Sequence, residues 1–401
     1  MGAAFDHARE LDGTFVIQTY ARKPVLFVRG EGMRLYDGEG REYLDFVSGI
    51  GAVNLGHAHP GVAAAVSAQM AKLLHVSNLF YVEHRAELAQ ALARLAGGGP
   101  WQTFFANSGA EAVEGAIKLA RRWGTRERGA GCTTIVTAER SFHGRTLGAL
   151  AATGQPSKQE AFEPLPAGFV HVPLNDLKAL AASVTDEVCA VMLEPVQGEG
   201  GVFACTEEYL TGARTLCDER GMLLIFDEVQ TGFFRTGPAF AWQGYGVEPD
   251  AFTLAKGIAN GLPMGALVAR DDVAAAFVVG DHGSTFGGGP VLAAAALATI
   301  EGLESERCGE RAVTSGAYMR EELASLAAES GAITDVRGRG LMVGVTLAQP
   351  SAQGVAARLL ERGMVVNAIG DSILRFLPPL VCSTSEIDTL LSVLSQTFEE
   401  M

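Results

Sequence analysis

Through the middle of this 401-residue chain the apolar residues come in short unbroken runs rather than in alternation with polar ones. Seven such runs, at 103–106, 133–137, 169–172, 189–193, 223–226, 251–254 and 266–269, are separated by helical segments. A strand with one face in water alternates, whereas a strand covered on both faces does not. The runs therefore predict an α/β architecture, a largely parallel sheet flanked by helices. Before them, 24–29 and 33–37 read as short antiparallel strands punctuated by Gly30, Gly32, Gly38 and Gly40. After them, a helix near 311–329 precedes strands around 341–346, 364–367 and 373–377, and a final amphipathic helix starts at about 385. Three regions result: 1–57, 58–303 and 304–401. No repeat and no low-complexity linker divides them.

Composition narrows the class. Hydrophobic residues make up 48% of the chain and charged residues 19%, which supports a large core and excludes disorder. The formal net charge of −15 argues against nucleic acid or an anionic membrane as a partner. Against that background an anionic substrate needs local cations, so each arginine near a candidate site gains interest. The six cysteines form no CxxC pair, so reduced thiols are expected, with no disulfide framework and no metal site. No apolar run is long enough to cross a bilayer, and the opening residues lack a basic-then-apolar leader pattern. A cytoplasmic location is the expectation.

Two strand ends carry the chemistry. The run 223–226 ends in Asp227, and the run 251–254 is followed by Lys256-Gly257. An acid and an amine delivered from the carboxyl ends of neighbouring strands suit pyridoxal phosphate (PLP). The lysine can form a Schiff base with the cofactor aldehyde, and the acid can keep the pyridine nitrogen protonated.

Other segments fit around that pair. Asn107-Ser-Gly109-Ala110-Glu111 follows a strand and opens a helix, where exposed N–H groups can bind a phosphate; tight packing explains the glycine equally well. In Ser141-Phe142-His143-Gly144-Arg145, Phe142 can stack on a flat ring or pack in a core. Arg145 can take a carboxylate or face solvent, and His143 reads as a structural histidine behind the site. Glu194 and Glu199 lie at and beyond a strand end, where open α/β sheets bind ligands. The loop 282–290 offers Ser284 and Thr285 among glycines. Arg375 sits in an otherwise apolar strand, so it faces solvent or meets an anion, either Glu199 or a substrate carboxylate.

These motifs, in this order and over essentially the whole chain, resemble the class III PLP-dependent aminotransferases. Supporting stretches are 75–81, 226–232, 280–286, 366–370 and 374–379. The resemblance implies PLP fold type I: a large domain, 58–303, with a mostly parallel seven-stranded sheet, and a smaller α+β domain built from both termini, 1–57 and 304–401. It implies a homodimer with active sites at the subunit interface. Lys256 would bind the cofactor covalently, Asp227 would pair with the ring nitrogen, Gln230 would contact the ring hydroxyl and Phe142 would stack on the ring. Gly109 and Ala110 would hold the phosphate, helped by Thr285 from the other subunit. Arg145, Ser284 and Tyr20 would contact the amine substrate, and Arg375 would take the α-carboxylate of glutamate or 2-oxoglutarate, with Glu199 pairing to it otherwise. The implied reaction moves the terminal amino group of N2-acetyl-L-ornithine to 2-oxoglutarate. Succinylornithine, ornithine, 4-aminobutyrate and an acylated lysine precursor are the alternative donors. Ile50, where ornithine δ-aminotransferases resemble one another in having tyrosine, argues against free ornithine. Gly289, where relatives commonly show asparagine, departs from the pattern without touching the chemistry.

Overall fold

A computed structural model describes residues 2–400. Near the start, β1 (Phe27–Glu31), β2 (Arg34–Asp37) and β3 (Glu42–Asp45) form an antiparallel meander. The apolar runs follow as β4 (Trp101–Ala106), β5 (Thr134–Ala138), β6 (Phe169–Val172) and β7 (Val188–Leu193). After two short strands, β8 (Val196–Gln197) and β9 (Phe203–Ala204), come β10 (Leu223–Asp227), β11 (Ala251–Leu254) and β12 (Gly265–Arg270). All seven runs lie in one sheet, ordered β4-β12-β11-β10-β7-β5-β6. Only β12 runs against its neighbours, so the other six strands end at one common edge.

The missing alternation has the expected cause. Every residue of β7, β10 and β11 is buried. Leu224, Phe226, Phe252 and Leu254 belong to one apolar cluster, whereas Leu223, Ile225, Ala251 and Met192 belong to another. Successive side chains therefore enter opposite cores, and each large one contributes about 1.5–3 kcal/mol of burial.

The last hundred residues add β13 (Ile333–Arg339), β14 (Met342–Leu347), β15 (Met364–Val365), β16 (Asn367–Ile369) and β17 (Ile373–Phe376). Four of them form an antiparallel sheet, ordered β13-β14-β17-β16. The helix Cys308–Ser330 packs on β13 and on the closing helix Thr384–Glu399. Strand β15 instead joins β3 in parallel, so residues from the two ends of the chain share one small sheet. No helix among the described residues is long and apolar enough to cross a membrane. All six cysteines are buried free thiols, and no metal-binding cluster occurs among the described residues.

Several details differ from the pattern-based expectation. The strand expected at 24–29 begins only at Phe27, because Pro24 has no N–H to give a ladder. The strand expected at 364–367 splits into β15 and β16, which belong to different sheets. Strand β13 was not anticipated, since its sequence is mostly polar and largely half-buried. Nor was the helix Ala3–Phe15, none of whose residues is buried.

The helix Gly109–Arg128, which starts beside the sheet's common edge, depends on Gly124 for its fit. A Cβ there would lie 2.5 Å from the Cys132 carbonyl and 2.5 Å from Cys189 Cβ. Alanine in place of glycine within a helix ordinarily gains about 1 kcal/mol. Here overpacking reverses the sign, and Gly124→Ala is expected to lower stability by about 1–2 kcal/mol. A thermal melt checks this: an unchanged or raised Tm would contradict the close approach.

Candidate active site

The common strand edge opens onto a cavity of about 460 Å³. Most of its wall is built from strand ends, with Ala52 and residues 261–264 completing it. Ala106 of β4 leads into Asn107-Ser108-Gly109-Ala110, β5 into the turn with Phe142, His143 and Arg145, and β7 into Glu194 and Glu199. β10 ends in Asp227, followed by Val229 and Gln230, and β11 leads into Ala255 and Lys256.

Asp227 is buried and held from three sides. Its Oδ1 accepts from Thr253 Oγ1 at 3.0 Å and from the Val229 amide at 3.1 Å. Thr253 stands opposite Asp227 in the β10–β11 register, which puts the hydroxyl in reach. Oδ2 lies 2.7 Å from Nδ1 of the buried His143. Burial works against a charged imidazole, but the hydrogen bond and charge of Asp227 outweigh it and raise the His143 pKa. The carboxylate is thus fixed in place by its neighbours. His143, expected only as a structural residue behind the site, is its support.

Lys256 follows β11 in a left-handed conformation with φ of 44°, an uncommon state for a side chain of this kind. Gly257 permits a close approach: a Cβ there would lie 2.5 Å from the side-chain amide nitrogen of Asn54. The packed surroundings lower the amine's pKa, Arg375 lowers it further, and Glu199 and Asp227 oppose them; the net shift is downward. A neutral amine is a nucleophile and a proton carrier.

The helix Gly109–Arg128 starts at the cavity with Ser108 as its N-cap, whose Oγ accepts from the Glu111 amide. The first amides, at Gly109 and Ala110, have no intrahelical partner by the geometry of a helix start. The cradle is close-fitting: a Cβ at Gly109 would lie 2.8 Å from Val229, and one at Gly144 would lie 2.8 Å from Ala110. An anion there meets N–H groups and the positive end of a long helix.

Arg375 has a side chain only 1% exposed, in the middle of β17. Its Nη1 donates to Glu199 Oε1 at 2.6 Å, and weakly to Gln230 Oε1 at 3.4 Å. Nε and Nη2 both donate to Asn367 Oδ1, at 3.1 and 2.7 Å. Asn367 is its cross-strand neighbour on β16, a partner that sequence reasoning missed. Burial alone would raise the Glu199 pKa, but Arg375 holds it below the usual carboxylate range, with Lys256 and Lys158 adding to the effect.

Three expected residues lie outside this cavity. Tyr20 is 76% exposed, Thr285 is exposed, and Ser284 is turned to Asn107, whose Nδ2 donates to its Oγ at 3.1 Å. Arg145 lines the cavity mouth, exposed, with its guanidinium 5.7 Å from the Phe142 ring centre.

One cavity thus holds an amine of lowered pKa, a fixed buried carboxylate, an aromatic ring and a helix start with free amides. That donor set fits PLP: an aldehyde for Lys256, a ring nitrogen for Asp227, a flat face for Phe142 and a phosphate for Gly109 and Ala110.

Comparison with known proteins agrees. The aminotransferase class-III family model matches residues 17–398. Acetylornithine aminotransferase from Caldanaerobacter subterraneus subsp. tengcongensis is 46% identical over 387 residues, 96% of this chain and 98% of the relative. The acetylornithine aminotransferase from Gloeobacter violaceus is 48% identical over 387 residues, 96% of each. A solved structure of ornithine aminotransferase from Toxoplasma gondii, with PLP partly occupying its active site, is 32% identical. It covers 98% of this chain and 94% of its own, with a TM-score of 0.93.

The Glu199–Arg375 pair has a pH signature. A carboxylate whose pKa is lowered on folding stabilises the fold fully above its unfolded value of about 4.3, and the gain is lost as pH falls through the lowered value. Wild type is expected to exceed Glu199→Gln by roughly 2 kcal/mol at pH 7, a gap that narrows progressively below about pH 4. Thermal melts of both proteins across pH 3.5–7 measure it. A gap that does not change with pH would mean that the pair is not ionic.

Proposed function

The chain belongs to the class-III aminotransferases, and we propose that it transfers the δ-amino group of N2-acetyl-L-ornithine to 2-oxoglutarate, giving N-acetylglutamate 5-semialdehyde and glutamate as a step of arginine biosynthesis. The enzyme is a PLP-dependent transaminase. The observation that carries the two-substrate reading is the buried Arg375 neutralised by Glu199 in the same cavity as Lys256. The relatives named acetylornithine aminotransferase, at 46–48% identity over nearly full length, support the choice of donor.

When bound, PLP supplies an aldehyde that condenses with amines and a protonated ring that draws electrons from the carbon losing a proton. The residues do the rest. Lys256, its pKa lowered by its buried surroundings, holds the aldehyde carbon at rest and carries the proton during transfer. Asp227 keeps the ring nitrogen protonated, and His143 keeps Asp227 in place. Gln230 contacts the ring hydroxyl, Phe142 covers the ring face, and the Gly109 and Ala110 amides hold the phosphate.

A terminal amine and an α-amine must be presented to the same carbon in turn. Arg145, at the cavity mouth, takes the α-carboxylate of acetylornithine, so that the δ-amine extends toward Lys256; Ser284 and Tyr20 contact the same substrate. Glu199 stays on Arg375 meanwhile, and no free cation draws that carboxylate inward. In the second half-reaction Glu199 leaves and Arg375 binds the α-carboxylate of 2-oxoglutarate.

The reading includes a cytoplasmic homodimer, with residues 58–303 as the large domain and 1–57 with 304–401 as the small one. Support for the dimer comes from the surface near Thr285. Leu79, Phe80, Tyr81, Val278, Val279 and Phe286 are exposed. The stretches they belong to are joined by the Asn78 side chain, which donates to the Ser284 carbonyl at 2.7 Å. An apolar surface of this kind favours association, and a second copy there brings Thr285 toward a neighbouring phosphate.

Lys256→Ala is expected to abolish transamination while leaving the melt and far-ultraviolet spectrum essentially intact; repeated turnover by that variant would sink the assignment. Arg145→Ala is expected to raise KM for N-acetylornithine about 10–100-fold with KM for 2-oxoglutarate nearly unchanged, and Arg375→Leu to do the opposite. Steady-state kinetics with each substrate varied separate the two. The substrate itself is tested by adding N-acetylornithine, ornithine and 4-aminobutyrate singly to the coloured enzyme. Bleaching of its visible band by N-acetylornithine at the lowest concentration, reversed by 2-oxoglutarate, is the expected result. A stronger response to ornithine or 4-aminobutyrate would replace the donor.

A further inference from the structure

Glu194 ends β7, the strand between β10 and β5, and its buried carboxylate sends both oxygens to main-chain amides. Oε2 accepts from the Phe142 amide at 2.9 Å, and Oε1 accepts from the Gly198 amide at 3.2 Å. These amides belong to different loops, one after β5 and one in the turn between β8 and β9. Each anchored amide adjoins a residue with an ionic contact in the site. His143, after Phe142, bonds to Asp227; Glu199, after Gly198, bonds to Arg375. Gly198 also lies against the Gln230 side chain so closely that no Cβ would fit.

We propose that Glu194 is a positioning residue: one carboxylate sets the spacing between the loop of Phe142 and His143 and the turn of Glu199, and thereby sets how readily Arg375 is released to a substrate carboxylate. The proposal rests on the Glu199–Arg375 exchange described above. Burial, with Asp227 adding to it, pushes the Glu194 pKa up to about 7, while His143 and the two amide donors favour the anion. Only an ionised carboxylate offers full acceptors on two separate oxygens at this reach. A glutamine offers one, and its NH₂ meets the other amide donor to donor. An aspartate keeps the charge but is one methylene short of spanning both loops.

The test uses the PLP-loaded enzyme and follows each half-reaction separately by absorbance, with N-acetylornithine or with glutamate as the donor. Glu199→Ala serves as the reference for the exchange. In Glu194→Gln the ratio of kcat/KM for N-acetylornithine to that for glutamate is expected to fall about tenfold, the change that follows from losing one such bond. The fall goes in the same direction as in Glu199→Ala, and the visible circular dichroism of the bound cofactor changes, reporting the Phe142 side. Glu194→Asp is expected to give a smaller shift of the same sign. A shifted ratio in Glu199→Ala with none in Glu194→Gln, or an equal loss of both constants, would overturn the positioning role and leave the exchange standing. No shift in Glu199→Ala would instead remove the exchange, and with it the proposed control of Arg375. Amide exchange on the unmodified holoenzyme gives a check that needs no variant: Phe142 and Gly198 should be protected like the β7 amides, and loss of either within minutes overturns the brace.

Discussion

A strand covered on both faces has nowhere to put an ionisable side chain until it ends. β7, β10 and β11 follow this: Thr253 and the Cys189 thiol apart, apolar side chains fill two cores along their length, and the charged groups Glu194, Asp227 and Lys256 appear only at or after their carboxyl ends. Because six of the seven strands point the same way, their ends share one edge, and the polar groups that the core rejects converge there. β12 turns back and brings β4 into line with the rest, which adds the helix start at Gly109 to the same edge. The cavity is therefore a consequence of how the sheet is buried, and the chemistry of the site is the list of residues placed just past each strand.

The two fully buried guanidiniums show how a charge can be held for different purposes. Arg235 donates to the carbonyls of Leu341 and Pro378 and to Asn54 Oδ1, all neutral oxygens, and joins three distant parts of the chain. Asn54 in turn presses on Gly257, next to Lys256, so this charge is part of the frame around the reactive amine. Arg375 has neutral partners too, Asn367 and more distantly Gln230, but its shortest contact is to an acid on a glycine-flanked turn. A guanidinium whose hydrogen bonds all go to fixed neutral oxygens, with its Nε left unpartnered, has nothing to exchange. One satisfied by a single carboxylate on a separate loop can trade it for another carboxylate at little net electrostatic cost.

Strands and site were legible in the sequence to different depths. The seven central strands were readable because their runs are apolar with few polar interruptions, most completely in β7, β10 and β11, where burial on two faces removes the alternation that a solvent-facing strand carries. β13 alternates among exposed and half-buried polar residues, and the helix Ala3–Phe15 buries none of its own, so neither left such a trace. Asp227, Lys256, Glu199 and Arg375 were readable as charges stationed at strand ends or inside apolar stretches. Asn367 was not, because its importance comes from standing opposite Arg375 in a ladder, a register that only the folded sheet supplies. Ser284 and Thr285 were readable only as hydroxyls on a glycine-rich loop and Tyr20 entered through family resemblance, and a single chain leaves all three outside its own cavity. The roles of individual residues therefore still rest on chemistry argued from position, whereas family and fold rest on direct likeness.

The charge balance around Lys256 ties these parts together. Burial lowers its pKa, Glu199 and Asp227 work to raise it, and Arg375 works to lower it. Seen from the amine, Glu199 and Arg375 are a nearly neutral pair. In the proposed second half-reaction Glu199 swings away and a substrate carboxylate takes its place on the same guanidinium. The pair is replaced by another of the same net charge, so the field at Lys256 is conserved even though the substrate has changed from a terminal amine to an α-amino acid. Had Arg375 stood alone, the first half-reaction would have run beside a bare buried cation, at several kcal/mol of desolvation. Had an apolar residue stood there, the second substrate would have had no anchor. The proposed exchangeable ion pair meets both requirements, and leaves the charge balance beside the lysine alike in two reactions with different amines.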